Sequence, residues 1–534
     1  MSFSGLFFVT CFLPAFTILY FLMPGIRSKN LVLLLGSLLF YSFGGIWYLL
    51  LLILMAAAAF CSGKLIRAAE RWHIVQGFLL MLTVFLFLAV LAVFKYSGFI
   101  LRTLDEISDA AVPTPDFVLP LGISFYTFKL ISYVSDIYNG RLEPASFPDV
   151  LLYTVIFHQS MQGPIVRFGD MKDDLHHRKA SPGQFADGVF RFVIGLSKKL
   201  LLADHAGRLA ETFLPTAMNS GSTTVAAAYL GSLFYMLQLY LDFSAYSDMA
   251  LGLGQMIGFH YPENFNYPYM AVSVRDFWKR WHISLSSFFR DYVYIPLGGS
   301  RVGFIHLVFN LLIVWSLTGL WHGASWNFIL WGLYYFVFIV LENIVRRVQK
   351  RLQDHSRGGS AETEGAGEAS GEQKTQPRGS VLLRAAGHVY ALAVIFFGWV
   401  LFRFTDFAAL RKVLLILSGR SGAAMMDAVT AMTLKNNIFF LLAAVLASTS
   451  AGRRFGESRR KSLERLCILE NVKKRHLREA GAAAEVQEEA LTRRRQRAER
   501  IYYCTRILWV FLLLFLSILS MVGNSYTPFL YNQF

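Results

Sequence analysis

The chain is built from predominantly apolar runs separated by short polar connections. In the first half they extend from Leu6 to Met23, Leu31 to Phe43, Trp47 to Cys61, Ile74 to Phe94, Leu119 to Val134, Leu151 to Met161 and Val189 to Leu202. In the second half they extend from Ala226 to Leu241, Met249 to Phe259, Phe304 to Leu320, Phe328 to Ile344, Ala385 to Phe402, Ile438 to Leu446 and Ile507 to Val522. A helix needs ~20 apolar residues to cross the hydrocarbon of a bilayer. The longer runs meet that length. The shorter ones suit tilted, re-entrant or interfacial helices shielded by protein, since irregular backbone is tolerated at membrane depth only where lipid does not touch it. The pattern predicts an all-α, multi-pass integral membrane protein with about ten or more transmembrane helices, forming one membrane domain over residues 1–534.

Composition sharpens this reading. The chain is 55% hydrophobic and only 16% charged, where a soluble domain carries about a quarter charged residues. A net charge of +16 would suggest a nucleic-acid partner in a soluble protein. Here the basic residues sit mainly between apolar runs, where they set orientation, so no nucleic acid is implied. The connections with Lys64, Arg67 and Arg71, with Lys198 and Lys199, and with Arg346 to Arg351 are assigned to the cytosol. Asp105 to Asp116 is acidic and assigned outside. No Lys or Arg precedes Leu6, and Arg27 and Lys29 follow Met23; that polarity is the reverse of a secretory signal. The same count places both termini outside. Four cysteines, Cys11, Cys61, Cys467 and Cys504, have neither metal-ligand spacing nor a disulfide pattern, so no metal site is expected.

Two inserts break the membrane pattern. Residues 356–380 are rich in Gly, Glu, Ser and Ala with almost no large apolar side chain, the composition of a flexible cytosolic linker. Residues 453–500 combine Ala, Leu, Glu, Lys and Arg without Pro, which favours one or two solvated cytosolic helices. Their basic surplus suits either anionic lipid headgroups or plain solvation.

Ionisable groups at membrane depth cost at least ~2.5 kcal/mol on insertion scales, so each needs a partner or a purpose. His322 lies between two apolar spans, beside Gly319, Trp321, Gly323, Trp326 and Asn327. An imidazole there can take a proton from an alcohol and return it near neutral pH; the plain alternative is a core histidine hydrogen-bonded across helices. His282 follows Arg275, Asp276, Lys279 and Arg280, interleaved with Phe277, Trp278 and Trp281. On one continuous helix, Trp278, His282 and Ser286 would share a face. Such a segment suits the cytosolic interface, with cations available to an anionic acyl donor, or equally an ordinary positive-inside helix. Asp242 and Asp248 flank small and hydroxyl side chains; they can orient a histidine or pair with Lys and Arg. His158, near Gln159, Gln162, Gly163 and Pro164, looks like part of a broken helix entering a cavity. Neither G-x-S-x-G, a P-loop nor H-E-x-x-H is present, which removes support for a serine hydrolase, an ATP-driven pump and a zinc enzyme.

Four stretches together resemble the bacterial branch of the membrane-bound O-acyltransferase family, which holds alginate, peptidoglycan and cellulose acetylation proteins and the teichoic acid D-alanylation protein. They are Gln162 to Arg167 (QGPIVR), YLDFSAYSDMALGLG from Tyr240, FWKRWHISLSSFFRDYVYIPLGG from Phe277 and TGLWHGASWNFILWG from Thr318. The resemblance implies a central tunnel in the helical core, a bacterial plasma-membrane location, His322 as general base and His282 as a second polar residue nearby. It implies no permanently bound cofactor, but an acyl thioester donor, either acetyl-CoA or a phosphopantetheine-linked acyl carrier protein, reaching the tunnel from the cytosol. Residues 524–534 form a tail whose end, Phe529 to Phe534, resembles an F-x-Y-x-x-F motif; this implies Tyr531 as acyl acceptor and an extracellular SGNH-type transferase as partner, the plain alternative being an aromatic tail docked at the outer interface. The tail favours acetyl over D-alanyl transfer. D-alanyl transfer from a carrier protein is the alternative within the class, and a non-catalytic transporter or export scaffold the alternative outside it.

Overall fold

The computed structural model describes residues 2–108, 117–216, 223–358, 380–478 and 483–523. Helices make up its regular structure, and no strand occurs among the described residues. Among the described residues, six helices are long and apolar enough to cross a membrane, and a seventh crossing results if Ala428–Asn436 and Ile438–Ala447, bent by 58°, are one broken span. The higher count expected from the sequence includes shorter or more polar helices. Ile26–Ser42 has 17 residues, and Val225–Met256 carries Gln238, Asp242, Asp248 and Gln255. Such helices need not face lipid. Ile123–Tyr138 is buried at every position from Ile123 to Ile137. Outward-facing side chains include Leu54, Ile74, Met81, Phe85 and Phe511, all largely exposed, as expected for a surface solvated by hydrocarbon.

The helices that place the functional side chains are α1 (His73–Ser108), α2 (Ile123–Tyr138), α3 (Pro182–Ser197), α4 (Val225–Met256), α5 (Ile283–Phe289), α6 (Phe304–His322), α7 (Trp326–Gly358), α8 (Ser380–Arg403) and α9 (Ala483–Gly523). The start of α3 is set by a capping box, Ser181 with Gln184, and by Pro182 in its first turn. Glycines then let α3 and α4 touch backbone to backbone. A Cβ at Gly188 would lie 2.6 Å from the Gly252 carbonyl oxygen, and one at Gly195 2.6 Å from that of Ala245. Small residues at a crossing are the usual means of close helix packing in membranes.

Beyond α3 the chain makes a π-helical turn, Lys198–Ala203, and continues as Asp204–Phe213. Lys198 and Lys199 therefore lie within a helical segment, and their assignment to a cytosolic loop is corrected. The widened turn carries Lys199 into the core, where its Nζ sits 2.7 Å from Asp204 and 2.8 Å from Asp242. The charge pattern misled because it counts cations without their buried partners.

Of the 453–500 insert, residues 453–478 lie on the helix Ala451–Arg478 and residues 483–500 on the first part of α9, with i, i+4 pairs such as Arg460–Glu464 and Arg493–Glu489 on their surfaces. Such exposed pairs add little stability, about 0.3–0.5 kcal/mol each. Helix α9 runs unbroken for 41 residues into its apolar half. There it is held against α3 by an Arg506–Asp187 ion pair and by Ser517, whose Oγ is 3.1 Å from that of Ser197. Residues 359–379 of the expected linker and the 524–534 tail fall outside the described residues.

Candidate active site

The site forms where α6 ends. Helices α6 and α7 pack so closely that a Cβ at Gly319 would meet the Phe328 carbonyl oxygen at 2.4 Å, and one at Gly332 that of Trp315 at 2.3 Å. This fixes His322, the last residue of α6, in the core with 3% of its surface exposed. Its ring packs edge-on against Trp331, Trp321 and Phe402 at centroid distances of 4.7, 5.0 and 5.4 Å. The final carbonyls of any helix lack intrahelical partners. Here α1 supplies donors for two of them: Lys95 Nζ to Trp321 O, and Tyr96 OH to Leu320 O at 2.8 Å. Lys95 and Tyr96 lie just past the apolar run that ends at Phe94, and sequence reading passed over them.

His282 is brought to the same place by a different device. The helix Val274–Trp278 stops, and His282 takes up a left-handed conformation, φ 44°, before α5 begins. Only Tyr267 and His282 have positive φ among the described non-glycine residues, a strained geometry that persists where neighbours enforce it. The expectation that Trp278, His282 and Ser286 share one helical face is thereby corrected. Ser286 is exposed, and its neighbour Ser284 turns inward instead. His282 is 1% exposed. Its Nδ1 is 3.2 Å from Asn264 Oδ1, and its ring meets Phe243 edge-on at 4.8 Å and Trp321 at 5.7 Å. The two imidazoles thus share the Trp321 indole as a neighbour, at centroid distances of 5.0 and 5.7 Å.

The other expected residues occupy supporting places. Trp281, wholly buried, and Trp278 join an aromatic cluster with Trp399 (4.9 Å from Trp281) and Trp331 (5.5 Å from Trp278), which walls His322. Asp242 pairs with Lys199, and Asp248 with Lys198 at 2.8 Å and Arg191 at 3.0 Å. Asn327 donates to the Phe402 carbonyl at 3.1 Å and so caps α8. His158 is fully buried in a separate polar niche, with Tyr261 OH 3.2 Å from its Nδ1. Tyr531 lies outside the described residues.

A cavity of about 250 Å³ opens beside the start of α5, lined by Ile283 and Ser284 but by neither histidine. Charged side chains line it, namely Arg167, Asp170, Glu263 and Arg290, together with Ile165, Ile283 and Ser284. From the Gln162 to Arg167 stretch, Ile165 and Arg167 line it, and Ile165 N donates to Ser284 Oγ of α5 at 3.0 Å. Arg167 and Arg290 both grip Asp291. Partial burial works to raise the Asp291 carboxyl, but the hydrogen bonds and charges of Arg290 and Arg167 hold it below the ordinary carboxylate value. Among the described residues, no group of three His, Cys, Asp or Glu side chains is arranged to hold a metal ion.

The fold and site together define a polytopic membrane protein with a histidine centre in its helical core. Residues 138–359, which contain both histidines, match MBOAT, the membrane-bound O-acyltransferase family. The chain is 41% identical to the probable alginate O-acetylase AlgI of Pseudomonas aeruginosa over 64% of its own length and 66% of that protein's. It is 40% identical to the protein of that name in Azotobacter vinelandii over 65% and 69%. It is also 34% identical to the peptidoglycan O-acetyltransferase of Helicobacter pylori over 61% and 67%. The chain belongs to the MBOAT family: it is a membrane-bound O-acyltransferase.

Proposed function

We propose that this protein transfers an acetyl group from a cytosolic thioester across the membrane for O-acetylation of a cell-surface polysaccharide. The polymer named for the relatives at 40% and 41% identity is alginate, which makes an alginate-like polymer the first acceptor to test. The observation that carries the reading is the convergence of His322 and His282 on Trp321, next to a cavity that passes from charged side chains to Ser284, two residues from His282.

In this reading the thioester arm of acetyl-CoA, or of an acyl carrier protein, enters that cavity from the cytosol, past Arg167 and Arg290. His322 is the general base: it takes the proton of an acceptor hydroxyl as that oxygen attacks the thioester carbonyl carbon. The carbon–sulfur bond breaks, and the imidazolium returns its proton to the departing thiolate, leaving a free thiol and an ester. The acceptor is either the polymer hydroxyl or Tyr531, whose ester an extracellular SGNH-type transferase would use in turn. Both termini lie outside the plasma membrane in this scheme.

The test is His322→Ala in the full-length protein reconstituted in lipid, supplied with labelled acetyl thioester. Loss of acetyl transfer at unchanged protein level supports the reading, and retained transfer refutes it. Mass spectrometry of the C-terminal peptide, searched for an acetyl ester on Tyr531, separates the relay from direct transfer; an alanyl mass there would favour D-alanyl transfer instead.

A further inference from the structure

We infer that Asn264 is a positioning residue for His282, holding its imidazole in the tautomer protonated on Nδ1, so that Nε2 is presented as a bare acceptor for a substrate N–H or O–H. The clause about substrate rests on the acyl-transfer reading above; the tautomer itself does not.

Hydrogen bonding fixes the orientation of the Asn264 amide. Its Oδ1 lies 3.2 Å from the Ser284 backbone nitrogen, which can only donate. That atom is therefore the oxygen, and the Nδ2 group faces Ser247 Oγ at 3.3 Å. The same Oδ1 accepts from Ser284 Oγ at 2.9 Å, so the serine hydroxyl proton is already committed, while its oxygen accepts from Ile165 N–H. An imidazole nitrogen 3.2 Å from Oδ1 bonds to it only if that nitrogen carries the proton. The proton of neutral His282 consequently sits on Nδ1. Its Nε2 is buried and meets no hydrogen-bond partner among the described residues, which is unusual for a polar atom in such surroundings.

Asn264 also grips the strained turn through its main chain. Its carbonyl accepts from Ile283 N at 3.0 Å, so one residue holds both the left-handed backbone of His282 and the ring it carries. An acceptor left open at membrane depth is matched by a ligand that brings a donor. The amide N–H of a pantetheine-type arm and the hydroxyl of the acyl acceptor both have that chemistry.

The tautomer is read directly by solid-state ¹⁵N NMR of histidine-labelled full-length protein in lipid, with the His282 signals identified by their loss in His282→Gln. The expected result is a protonated Nδ1 and an unprotonated Nε2. Asn264→Leu should mix the tautomers, Asn264→Asp should preserve the native one because it keeps an acceptor, and Ser284→Ala should preserve it as well. A proton on Nε2 of His282 in the unaltered protein, or an unchanged tautomer in Asn264→Leu, overturns the inference without bearing on whether acetyl transfer occurs. If Asn264→Leu does not fold, the unaltered protein and Asn264→Asp still decide it. In turnover, Asn264→Leu should slow acetyl transfer tenfold or more and Asn264→Asp should recover most of the rate. A rise in KM for the thioester marks the donor arm as the partner of Nε2, and a fall in kcat at unchanged KM marks the acceptor hydroxyl. Unchanged kinetics in Asn264→Leu removes the positioning role.

Discussion

Replacing Gly319 by Ala tests how tightly His322 is tied to the packing of α6 against α7. The added Cβ would stand 2.4 Å from the Phe328 carbonyl oxygen and 3.2 Å from its carbon, against the 3.0 Å below which real Cβ contacts essentially never fall. The obstacle is backbone and cannot swing aside, so the two helices must separate by at least about 0.6 Å, with the methyl filling the gap. Overpacking of this kind costs about 1–3 kcal/mol. Gly319 is one turn from His322, and a displacement of about 1 Å at a reacting group can cost ~100-fold in rate. A shift of just over half that size should lower acetyl transfer roughly tenfold, equivalent to ~1.4 kcal/mol in the barrier. The assay pairs thermal unfolding in lipid nanodiscs with transfer from a labelled acetyl thioester. Gly452→Ala is the control, since its added Cβ meets nothing within 4 Å. Wild-type rate and melting temperature in Gly319→Ala would refute the idea that this crossing sets the position of the imidazole.

Lys95→Met should leave the buried Trp321 carbonyl without its amine donor, costing about 1–3 kcal/mol in stability and lowering the transfer rate; equal melting temperatures would show the contact to be dispensable. Lys199→Met strands Asp204 and Asp242 in the interior and should destabilise by about 3–5 kcal/mol, partly relieved in the double variant Lys199→Met/Asp242→Asn, as thermal melts would reveal. The Asp291 carboxyl is held low in the folded protein. Its contribution is therefore complete above the unfolded carboxylate pKa and is lost as pH falls through the lower folded value. Asp291→Asn should flatten the acid limb of a stability–pH curve, and an unaltered limb would rule this out.

The helical membrane class was legible because lipid imposes long apolar runs, and the placing of His322 in the helical core was legible because it lies between two such runs. The turn at His282 was not. Its left-handed residue breaks a segment whose residues read as continuous helix, so the inward serine is Ser284 rather than Ser286. Asn264 left no signal either, since it sits in a connection with no period and reaches His282 across 18 positions of chain. Asp242 and Asp248 stood out as costly charges, but their partners Lys198 and Lys199 were read as loop cations because a π-turn cannot be seen in apolar periodicity. The span count likewise depends on which helices are sheathed by others, a property of packing rather than of any one run.

Helix α9 carries one mechanical implication. At 1.5 Å per residue, its 41 residues make a rod roughly 60 Å long, about twice the hydrocarbon thickness of a bilayer, with no internal joint. Its apolar half is pinned to α3 at Ser197 and Ser517. A push on its polar N-terminal end would turn the rod about that pin as a lever, and so move its C-terminal end at Gly523.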